Sequence, residues 1–558
     1  MALVECVPNI SEGRDRAVID AVVQAAEKAG VTVLDVDPGA ATNRTVITFV
    51  GSPEQAVQGA FLLIAKAAEL IDMSKHRGEH PRMGATDVCP FIPISGATMQ
   101  DCAELARKLG RRVGGELGIP VYLYEYAASK PERRNLAWIR AGEYEALAEN
   151  IKKPDRVPDF GKPVFHPRAG ATVIGARKFL IAYNVNLNTL DKKLAHDIAL
   201  NIREAGRSAR GEDGKILKDA DGNAVKTPGL FPHVKAVGWV IEEYKRAQIS
   251  INFTDWEVSP PHLVFDEVCR QAMERGMRVT GSELVGLIPK NALLAAGEHY
   301  LRRQGRSHGV PEPVLLETAI QSLGLSDLYP FKPEEKIIEY RVAARMGTLA
   351  SKRVFEFADE VSTESPAPGG GSVAALVGAL GAALAAMVAN LTVGKKGHEK
   401  VWGEMSDLAA RAQELKDFFL RSIDEDTRAF SAVLEASRLP KGTKEEAAAR
   451  GAAVESAMKN AALVPLRTLE RTEEVAALAA EAADKGNPAS ISDAAVAALS
   501  AEGAAEGAWF NVIINIGQIG DAAFVQETRK RADAVLERVR ARSSDVRDRV
   551  RRKLEGNA

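Results

Sequence analysis

The chain has 558 residues, which at roughly 100–200 residues per domain is enough for about three or four domains. Hydrophobic residues make up 46% and charged residues 27%, an ordinary balance for a globular protein that excludes wholesale disorder. Lys and Arg number 73 against 75 Asp and Glu, so the net charge of −2 gives no reason to expect nucleic acid or an anionic membrane as a partner.

The four cysteines contain no CxxC pair, which excludes a disulfide scaffold or a thiolate zinc site and favours a reducing compartment. The start of the chain lacks the basic and apolar regions of a signal peptide, so we expect a cytoplasmic location. The uncharged stretch 365–394 is long enough to cross a bilayer. Because it is mostly Ala and Gly, its composition favours a buried helix instead.

The first part of the chain alternates predicted strands and helices. The β-branched composition typical of strands occurs at 31–37, 44–50 and 121–126. Capping boxes predict helix starts at Ser52, with Gln55, and at Thr98, with Asp101. This pattern predicts a β-rich layer with helices packed on it, an α/β sandwich subdomain.

A second α/β unit is predicted to begin near Gly170. Its strands are expected at 179–186, 236–244 and 248–253, and its helices near 190, 260 and 291. The segment 214–226 contains Asp-Gly-Asn, which is typical of an exposed hairpin turn. Residues 341–352 are expected to link this unit to a C-terminal helical part.

The last 200 or so residues predict helix after helix. Their expected ranges are 350–362, 372–393, 402–437, 443–483, 491–517 and from 521 onward. Thr443 with Glu446 and Ser490 with Asp493 are predicted capping boxes. Alanine-rich helices bury little area each, so we expect an oligomeric helical bundle.

The densest polar cluster of the first part is the segment 76–84, HRGEHPRMG. Its HxxEH pattern is also that of one class of zinc peptidase, which needs both histidines on one uninterrupted helix. Gly78 interrupts the motif and Pro81 disfavours helical backbone at His80, so zinc is not favoured. The alternatives left are a solvated loop and a loop that presents an imidazole able to accept a proton near neutral pH.

Three further segments are candidates for a polar ligand site. Residues 7–14 follow the first predicted strand, and residues 35–44 join two strands with Asp37 at a strand end. Each is weak alone, since turns use the same residue types, but several such loops at strand ends of one subdomain favour a ligand site. The glycine-bounded segment 161–175 separates the two α/β units, and clefts between subdomains commonly bind ligands.

In the helical part, an apolar stripe contains a carboxylate. Helical spacing places Leu415, Phe419, Ile423, Phe430 and Val433 on one face, and Asp426 falls within it. Burial there should raise the pKa of Asp426 unless a partner compensates. Both an Asp satisfied by a neighbouring Arg or amide and a general acid/base remain open. The neighbouring Asp424 and Glu425 are expected to be solvated.

Two other helical features are candidates for binding. The turn 368–372, PGGGS, runs into a helix N-terminus, where unpaired amides favour an anion, although such a turn is often only a linker. It fits neither a Walker A loop nor a dinucleotide fingerprint. Asn511 and Asn515 lie one turn apart on an apolar helix, where buried amides must find partners or bind a ligand.

Taken together, these segments resemble the bifunctional formimidoyltransferase–cyclodeaminase family of histidine breakdown. The resemblance covers nearly the whole chain and is most specific at IDMSKHRGEHPRMGATDVCPFIP (71–93). The other matching blocks are ECVPNISEGR (5–14), DVDPGAATNRTVITFVG (35–51), VYLYEYAA (121–128), GATVIGARKFLIAYNVNL (170–187), GSELVGLIPKNALL (281–294), APGGGSVAA (367–375), DEDTRAFSAVLEASRLP (424–440) and WFNVIIN (509–515).

The resemblance implies a multidomain α+β protein, with two α/β sandwich subdomains followed by an all-α bundle. The implied boundaries are 1–175 and 176–340 for the transferase subdomains, 341–352 for a linker and 353–558 for the cyclodeaminase. The transferase moves a formimino group from N-formimino-L-glutamate to N5 of tetrahydrofolate. The cyclodeaminase then closes the product to 5,10-methenyltetrahydrofolate and releases ammonia.

Carried over to this sequence, the resemblance implies His80 as the transferase base, with Asp37 as a plausible partner, and Asp426 as the cyclodeaminase acid/base. Implied binding residues in the transferase are Asn9, Asp37, Arg44, Glu79, Arg82, Gly161, Gly170 and Thr172. Those in the cyclodeaminase are Gly370, Gly371, Ser372 and Asn511.

Tetrahydrofolate, polyglutamylated or not, is implied as co-substrate, with no metal, flavin or nicotinamide, and the chain is expected to self-associate through both domain types. Two alternatives stay open. In one, the helical domain is a methenyltetrahydrofolate cyclohydrolase. In the other, the protein binds folate without catalysis.

Overall fold

The protein divides into two compact units. A computed structural model describes residues 2–40, 42–78, 80–219, 222, 224–343 and 349–556. The first unit consists of residues 1–292 and 323–342, and the second of residues 293–322 and 343–558. Residues 293–322 therefore cluster with the helical part, although they lie before the predicted linker. The boundaries inferred from the sequence stay predictions.

The strands all belong to the first unit. In chain order they are β1 (Leu3–Cys6), β2 (Asn9–Ile10), β3 (Thr32–Gly39), β4 (Arg44–Gly51), β5 (Thr86–Ser95), β6 (Val121–Glu125), β7 (Thr172–Ala176), β8 (Ile181–Leu187), β9 (Arg207–Ser208), β10 (Lys226–Thr227), β11 (Val234–Ile241), β12 (Arg246–Phe253) and β13 (Val279–Val285).

Both units contain helices, numbered in chain order. They are α1 (Arg16–Glu27), α2 (Pro53–Leu70), α3 (Met99–Arg112), α4 (Leu136–Ile139), α5 (Glu143–Asn150), α6 (Lys192–Ile202), α7 (Pro261–Glu274), α8 (Lys290–Arg303), α9 (Glu312–Leu323), α10 (Pro333–Lys336), α11 (Ile338–Ala343), α12 (Val354–Val361), α13 (Gly370–Asn390), α14 (Trp402–Ser437), α15 (Lys444–Lys485), α16 (Ile491–Ile516) and α17 (Ala522–Leu554).

The first sheet has seven strands. β3 pairs with β4, β4 pairs with both β1 and β2, and these two pair on their other side with β5. β7 then joins β5 to β6 in parallel. The prediction that the second α/β unit begins near Gly170 is therefore wrong, because β7 completes the first sheet. The strand at 172–176 was not predicted.

Alternation along the strands separates the two faces of the first sheet, and both faces carry buried apolar residues. Val4, Cys6, Ile47 and Phe49 are buried in the core formed with α1, α2 and α3. Asn9, Asp35 and Asp37 lie on the opposite face, because they pair with Val46 and Thr48, which alternate with Ile47 and Phe49 along β4. Asn9 and Asp37, both predicted to bind a ligand, therefore share one side of the sheet, whereas Thr172 lies on the side of Val121 and Ile174.

The second sheet is antiparallel, in the order β11-β12-β8-β13. α6 and α7 cover its apolar face, whereas Asn184, Asn186, Gln248 and Glu283 are buried on the other and bond to one another. β13 was not predicted as a strand, because Gly281 and Ser282 weaken the β pattern. Gly281 fits there because a Cβ would lie 2.4 Å from Cβ of Asp327.

Two predicted connections fall partly outside the described residues. In the predicted hairpin 214–226, Lys218 bridges Ala224 and Gly222 has φ of +81°, as a tight turn requires. Asp221 and Asn223 of that turn are not among the described residues. In the predicted linker 341–352, residues 344–348 are not among them either.

In the second unit, α13, α14, α15, α16 and α17 share one alanine-rich core. Among the described residues, α13 is the one helix long and apolar enough to cross a membrane, with a mean hydropathy of 2.2 over an 18-residue window. Of that window, 61% is buried inside the structure. The burial agrees with the interpretation of the stretch as a core helix.

Local signals predicted most helix starts. The capping boxes at Ser52, Thr98 and Thr443 are present. The predicted box at Ser490 is wrong: its hydroxyl donates to the Asn487 carbonyl at 3.0 Å instead of capping α16. A preceding 3-10 turn changes the backbone there, so the residue types alone mislead.

Candidate active sites

The three polar loops predicted to form a site meet through Asn43. The Asn43 Oδ1 accepts from the amide of Gly13 at 3.0 Å, and its Nδ2 donates to the Arg77 carbonyl at 2.9 Å. Gly78 packs against the same strand end, because a Cβ there would lie 2.2 Å from the Thr42 carbonyl oxygen. One amide side chain thus joins the loop after β1 and β2, the β3–β4 turn and the histidine loop (residues 76–84).

The two histidines of the loop have different environments. His76 is buried, its Nε2 lies 2.8 Å from the Asn43 carbonyl, and its Nδ1 lies 3.2 Å from Nε of Arg82. Because a carbonyl only accepts and an arginine only donates, His76 carries its proton on Nε2. Both of its nitrogens are occupied, so His76 is a structural residue.

His80 keeps one nitrogen available. Its Nδ1 donates to the carbonyl of Pro81 at 2.7 Å, which leaves the lone pair on Nε2. Among the described residues no hydrogen bond to Nε2 occurs. Burial, followed by the charges of Arg44 and Arg140, lowers the pKa of His80 to about 4. The imidazole is therefore neutral at physiological pH and can accept a proton at Nε2.

The low pKa of His80 predicts a distinctive pH dependence. With a folded-state pKa of about 4 instead of the usual 6.5, its ring carbon and proton resonances should not titrate between pH 7.5 and 6. The unfolded chain binds this proton first, so the contribution of His80 to stability is present above pH 6.5 and is lost as the pH falls towards 4. Histidine-labelled NMR, with H80Q for assignment, measures this. A midpoint near 6.5 would contradict it.

Arg44 lies at the centre of this site. It is buried on β4, donates from Nε to Oδ1 of Asn9 at 3.2 Å and from Nη1 to Oδ2 of Asp87 at 2.5 Å. Arg140 reaches the same Asp87 oxygen. The two arginines hold the pKa of the fully buried Asp87 below its usual value even though burial opposes this. The structure therefore brings Asn9 and Arg44 together with His80.

The remaining predicted residues of the loop region have other placements. Arg82 donates to Glu145 at 2.6 and 2.7 Å and to Glu143 at 3.1 Å, besides its bond to His76. All three of its guanidinium nitrogens are thus engaged within the protein, which fits a loop-fixing role better than substrate binding. Glu79 lies outside the described residues.

Asp37 lies on β3, opposite Val46 of β4. Burial raises the pKa of Asp37, and the charge of Glu283 adds to this, while Lys336 opposes it. The carboxylate whose charge acts on His80 is instead Asp87. Among the described residues no hydrogen bond or ion pair joins Asp37 to His80, and the charges that act on Asp37 are those of Lys336 and of Glu283 on β13.

The segment 161–172 contacts two different places. Gly170 has φ of +68° and bridges Gly84, the last residue of the histidine loop, and Thr172 begins β7. Gly161, with φ of +82°, instead packs against Gly114 at the end of α3. Gly170 and Thr172 are therefore near the histidine loop, and Gly161 belongs to a turn on α3.

We expect Gly170→Ala to destabilise the first unit. A Cβ at this position would lie 2.1 Å from the Met83 carbonyl oxygen, and the left-handed backbone costs alanine about 1–2 kcal/mol on its own. The control is Gly118→Ala, where φ is +67° but nothing lies within 4 Å. Calorimetry should show a larger drop in Tm for Gly170→Ala than for the control. Equal drops would show that the contact with Met83 is unimportant.

The predicted residues of the helical part do form one cluster. Oγ of Ser372 on α13 lies 3.2 Å from Oδ2 of Asp426 on α14 and 2.9 Å from the Ile423 carbonyl oxygen, so its single proton is shared between these two acceptors. A Cβ on Gly371 would lie 2.2 Å from Oδ1 of Asp426, and one on Gly370 would lie 3.2 Å from Nδ2 of Asn511. The glycines therefore let the N-terminus of α13 approach the carboxylate and the amide.

Opposing effects act on Asp426. Burial raises its pKa above the usual value, whereas the hydroxyl and the backbone amide of Ser372 lower it. A carboxyl at a helix N-terminus is stabilised as the anion, so both interpretations from the sequence have a physical basis here. Asp426 is partly satisfied by an amide and keeps a raised pKa, which suits proton transfer in both directions.

Two expectations about α14 need correction. Phe430 is 37% exposed, so the apolar stripe is buried only from Leu415 to Ile423 in this chain. Asp424 is not simply solvated, because it accepts from the amide of Leu349 at 2.7 Å. Helical spacing fixes which residues share a face but not how far the neighbouring helices extend along it.

Comparison with known proteins identifies the family to which each part of the chain is similar. Family models match residues 3–177 (Formiminotransferase domain, N-terminal subdomain), 182–343 (Formiminotransferase domain) and 353–534 (Formiminotransferase-cyclodeaminase). The formimidoyltransferase-cyclodeaminase of Gallus gallus is 45% identical over 547 residues, which cover 98% of each chain. The chain belongs to the formimidoyltransferase-cyclodeaminase family. It is an enzyme, and the resemblance stated from its sequence is confirmed.

The helical half of this formimidoyltransferase-cyclodeaminase family member also resembles shorter proteins. A methenyltetrahydrofolate cyclohydrolase of Methylorubrum extorquens is 39% identical over 198 residues, covering 36% of this chain and 95% of its own. The solved formiminotetrahydrofolate cyclodeaminase of Thermotoga maritima is 32% identical and covers 37% of this chain and 97% of its own, with a TM-score of 0.32.

Sequence reasoning missed three residues of these candidate sites. Asp87 and Arg140 complete the cluster around Arg44, and the Thr427 hydroxyl lies 3.3 Å from that of Ser372. Asp87 had a signal, since a carboxylate at the start of an apolar strand needs a partner. Arg140 had none, because it lies in an ordinary charged segment 53 residues away.

Proposed function

We propose that the chain transfers the formimino group of N-formimino-L-glutamate to N5 of tetrahydrofolate and then cyclises the product to 5,10-methenyltetrahydrofolate with release of ammonia. The observation that carries the first step is a neutral His80 whose Nε2 is available among converging polar loops. The second step rests on Asp426 held at the N-terminus of α13. Both steps agree with the full-length similarity to a bifunctional relative.

In the transfer step, N5 of tetrahydrofolate attacks the formimino carbon and becomes positively charged. The formimino group reacts as its amidinium form, so the electron pair of its C=N bond moves to the NH2 nitrogen as N5 attacks. His80 Nε2 accepts the N5 proton, which leaves a tetrahedral carbon bonded to N5, to the glutamyl nitrogen and to the NH2 nitrogen. The same imidazolium then protonates the nitrogen of the glutamyl group as its bond to carbon breaks. Glutamate leaves, 5-formiminotetrahydrofolate remains, and His80 is neutral again.

In the cyclisation step, N10 attacks the formimino carbon and loses its proton while the exocyclic nitrogen departs as ammonia. That nitrogen must gain two protons, of which N10 supplies one and the medium the other. Asp426 can donate to the departing nitrogen when protonated and accept from N10 when ionised, and burial raises its pKa above the usual value, which favours the protonated form. Gly370, Gly371 and Asn511 border the space in which these atoms would lie.

Tetrahydrofolate serves in this proposal as co-substrate, without metal, flavin or nicotinamide, and the enzyme acts in the cytoplasm. Self-association is also proposed, because large apolar side chains remain exposed on α13 and α16. Phe510 is 61% exposed and Ile514 65% exposed. A second helical unit would remove such side chains from water.

The test incubates purified protein with formiminoglutamate and tetrahydrofolate. Glutamate should appear first, then ammonia, together with the absorbance of methenyltetrahydrofolate. A cyclohydrolase would instead add water to supplied methenyltetrahydrofolate without releasing ammonia from the formimino compound. Tight folate binding without either product would identify a non-catalytic binding protein.

A further inference from the structure

Arg44 and Arg140 share a single carboxylate. Both guanidinium groups contact Oδ2 of Asp87, and the other Asp87 oxygen accepts from the Met83 amide at 2.9 Å. Asp87 is fully buried, and the side chains of Arg44 and Arg140 are only 9% and 14% exposed. The three charges are therefore fixed in place and poorly screened by solvent.

These three groups leave one positive charge and many donors unmatched. Two guanidinium groups have ten N–H donors. Among the described residues, Arg44 uses donors towards Asp87 and Asn9, and Arg140 towards Asp87 alone. The Nε of Arg140 is buried without a hydrogen-bond partner there. A buried donor without an acceptor costs free energy unless a ligand supplies the acceptor.

We propose that Arg140, together with Arg44, binds a carboxylate of the substrate beside His80. This inference rests on the proposed transferase function and adds to it the residue that recognises the donor. Guanidinium groups bind carboxylates through paired N–H···O bonds, and two of them around one anion make a strong site.

The chemistry of the substrates identifies which carboxylate this is. In N-formimino-L-glutamate, the α-carboxylate is attached to the carbon that carries the leaving nitrogen, so it must lie close to the reacting carbon. The glutamate tail of tetrahydrofolate is separated from N5 by the aminobenzoyl ring. A carboxylate site beside the base at N5 therefore fits the α-carboxylate of the donor better than the tail of the folate.

A carboxylate bound at this site would also change the pKa of His80. Burial is the main cause of the low pKa of His80, and the charges of Arg44 and Arg140 add to it. Asp87 is the charge that opposes them, and Tyr124 beside Arg140 is neutral, since burial raises its pKa to about 12. A bound carboxylate would neutralise the excess positive charge and make His80 more basic when the donor is present.

The experiment compares Arg140→Gln and Arg140→Lys with the intact protein in the full chain. For Arg140→Gln, the Kd for formiminoglutamate, measured by calorimetry without folate, should rise about 10- to 100-fold. The lysine variant, which keeps the charge but not the paired donors, should lose less. The affinities for tetrahydrofolate and its pentaglutamate should stay unchanged, and the pKa of His80 should rise.

The matched control is Arg156→Gln in the same segment. Arg156 stacks on Trp138 at 3.7 Å and donates to its carbonyl, so its loss affects packing but not Asp87. An unchanged Kd for formiminoglutamate in both Arg140 variants would overturn the proposal. So would a loss confined to the pentaglutamate, which would assign the charge to the folate tail. A protein without transfer activity that still binds formiminoglutamate through Arg140 would refute only the proposed function.

Discussion

His80→Gln is expected to reduce formimino transfer about 10²–10⁴-fold, the usual contribution of a positioned general base. Glutamine can replace the hydrogen bond to the Pro81 carbonyl but cannot accept the N5 proton. The loss should appear in kcat, with little change in the KM of either substrate. Glutamate release from formiminoglutamate and tetrahydrofolate is the measurement.

Cyclisation serves as the internal control for this variant. When 5-formiminotetrahydrofolate is supplied, His80→Gln should release ammonia at the rate of the intact protein, because the proposed acid/base of that step is Asp426. The His76→Gln variant separates chemistry from loop structure, since His76 is bonded at both nitrogens. It should lower stability along with activity. If His80→Gln abolished cyclisation and spared transfer, the assignment of the two sites would be wrong.

Gly371→Ala is expected to reduce cyclisation about 100-fold, as a displacement of about 1 Å at a reacting group does. The new Cβ would lie 2.2 Å from Oδ1 of Asp426, so the carboxylate has to leave its bond with Ser372. Transfer should be unaffected. The rate of methenyltetrahydrofolate formation from supplied 5-formiminotetrahydrofolate measures the effect.

Gly451→Ala is the matched control, because it adds the same methyl group to a helix where nothing lies within 4 Å. It should stabilise α15 by up to about 1 kcal/mol and leave both activities unchanged. Asp426→Asn should lose cyclisation to a similar or greater extent than Gly371→Ala. Full cyclisation activity in Gly371→Ala would show that the position of Asp426 does not limit the reaction.

The parts of the structure that depend on neighbours in sequence were predictable. The capping boxes at Ser52 and Thr98 hold because each cap bonds within its own first turn. The candidate Asp426 followed from helical spacing, and the three polar loops followed from their positions at strand ends. In each case the feature depends on residues that are close in sequence, or on the repeat of the helix or strand that contains them.

The parts that depend on distant contacts were not predictable. The pairing of β7 with β5 and β6 is set by tertiary packing, which the composition of 172–176 does not encode. Arg140 joins Asp87 across 53 residues, and nothing near it in sequence distinguishes it from arginines at the surface. Which of the two histidines keeps a nitrogen available also depends on distant contacts, because Asn43 and Arg82 occupy both nitrogens of His76.

The glycines of α13 contact α14 at a fixed interval. Gly371 meets Asp426, and seven residues further on Gly378 meets the ring of Phe419, where a Cβ would lie 2.8 Å from ring carbons. Phe419 in turn lies seven residues before Asp426, so the two contacts lie about two helical turns apart along the helix pair. The separation of the two helix axes therefore determines where the carboxylate of Asp426 lies. A methyl group at Gly378 would shift the acid without touching any reactant.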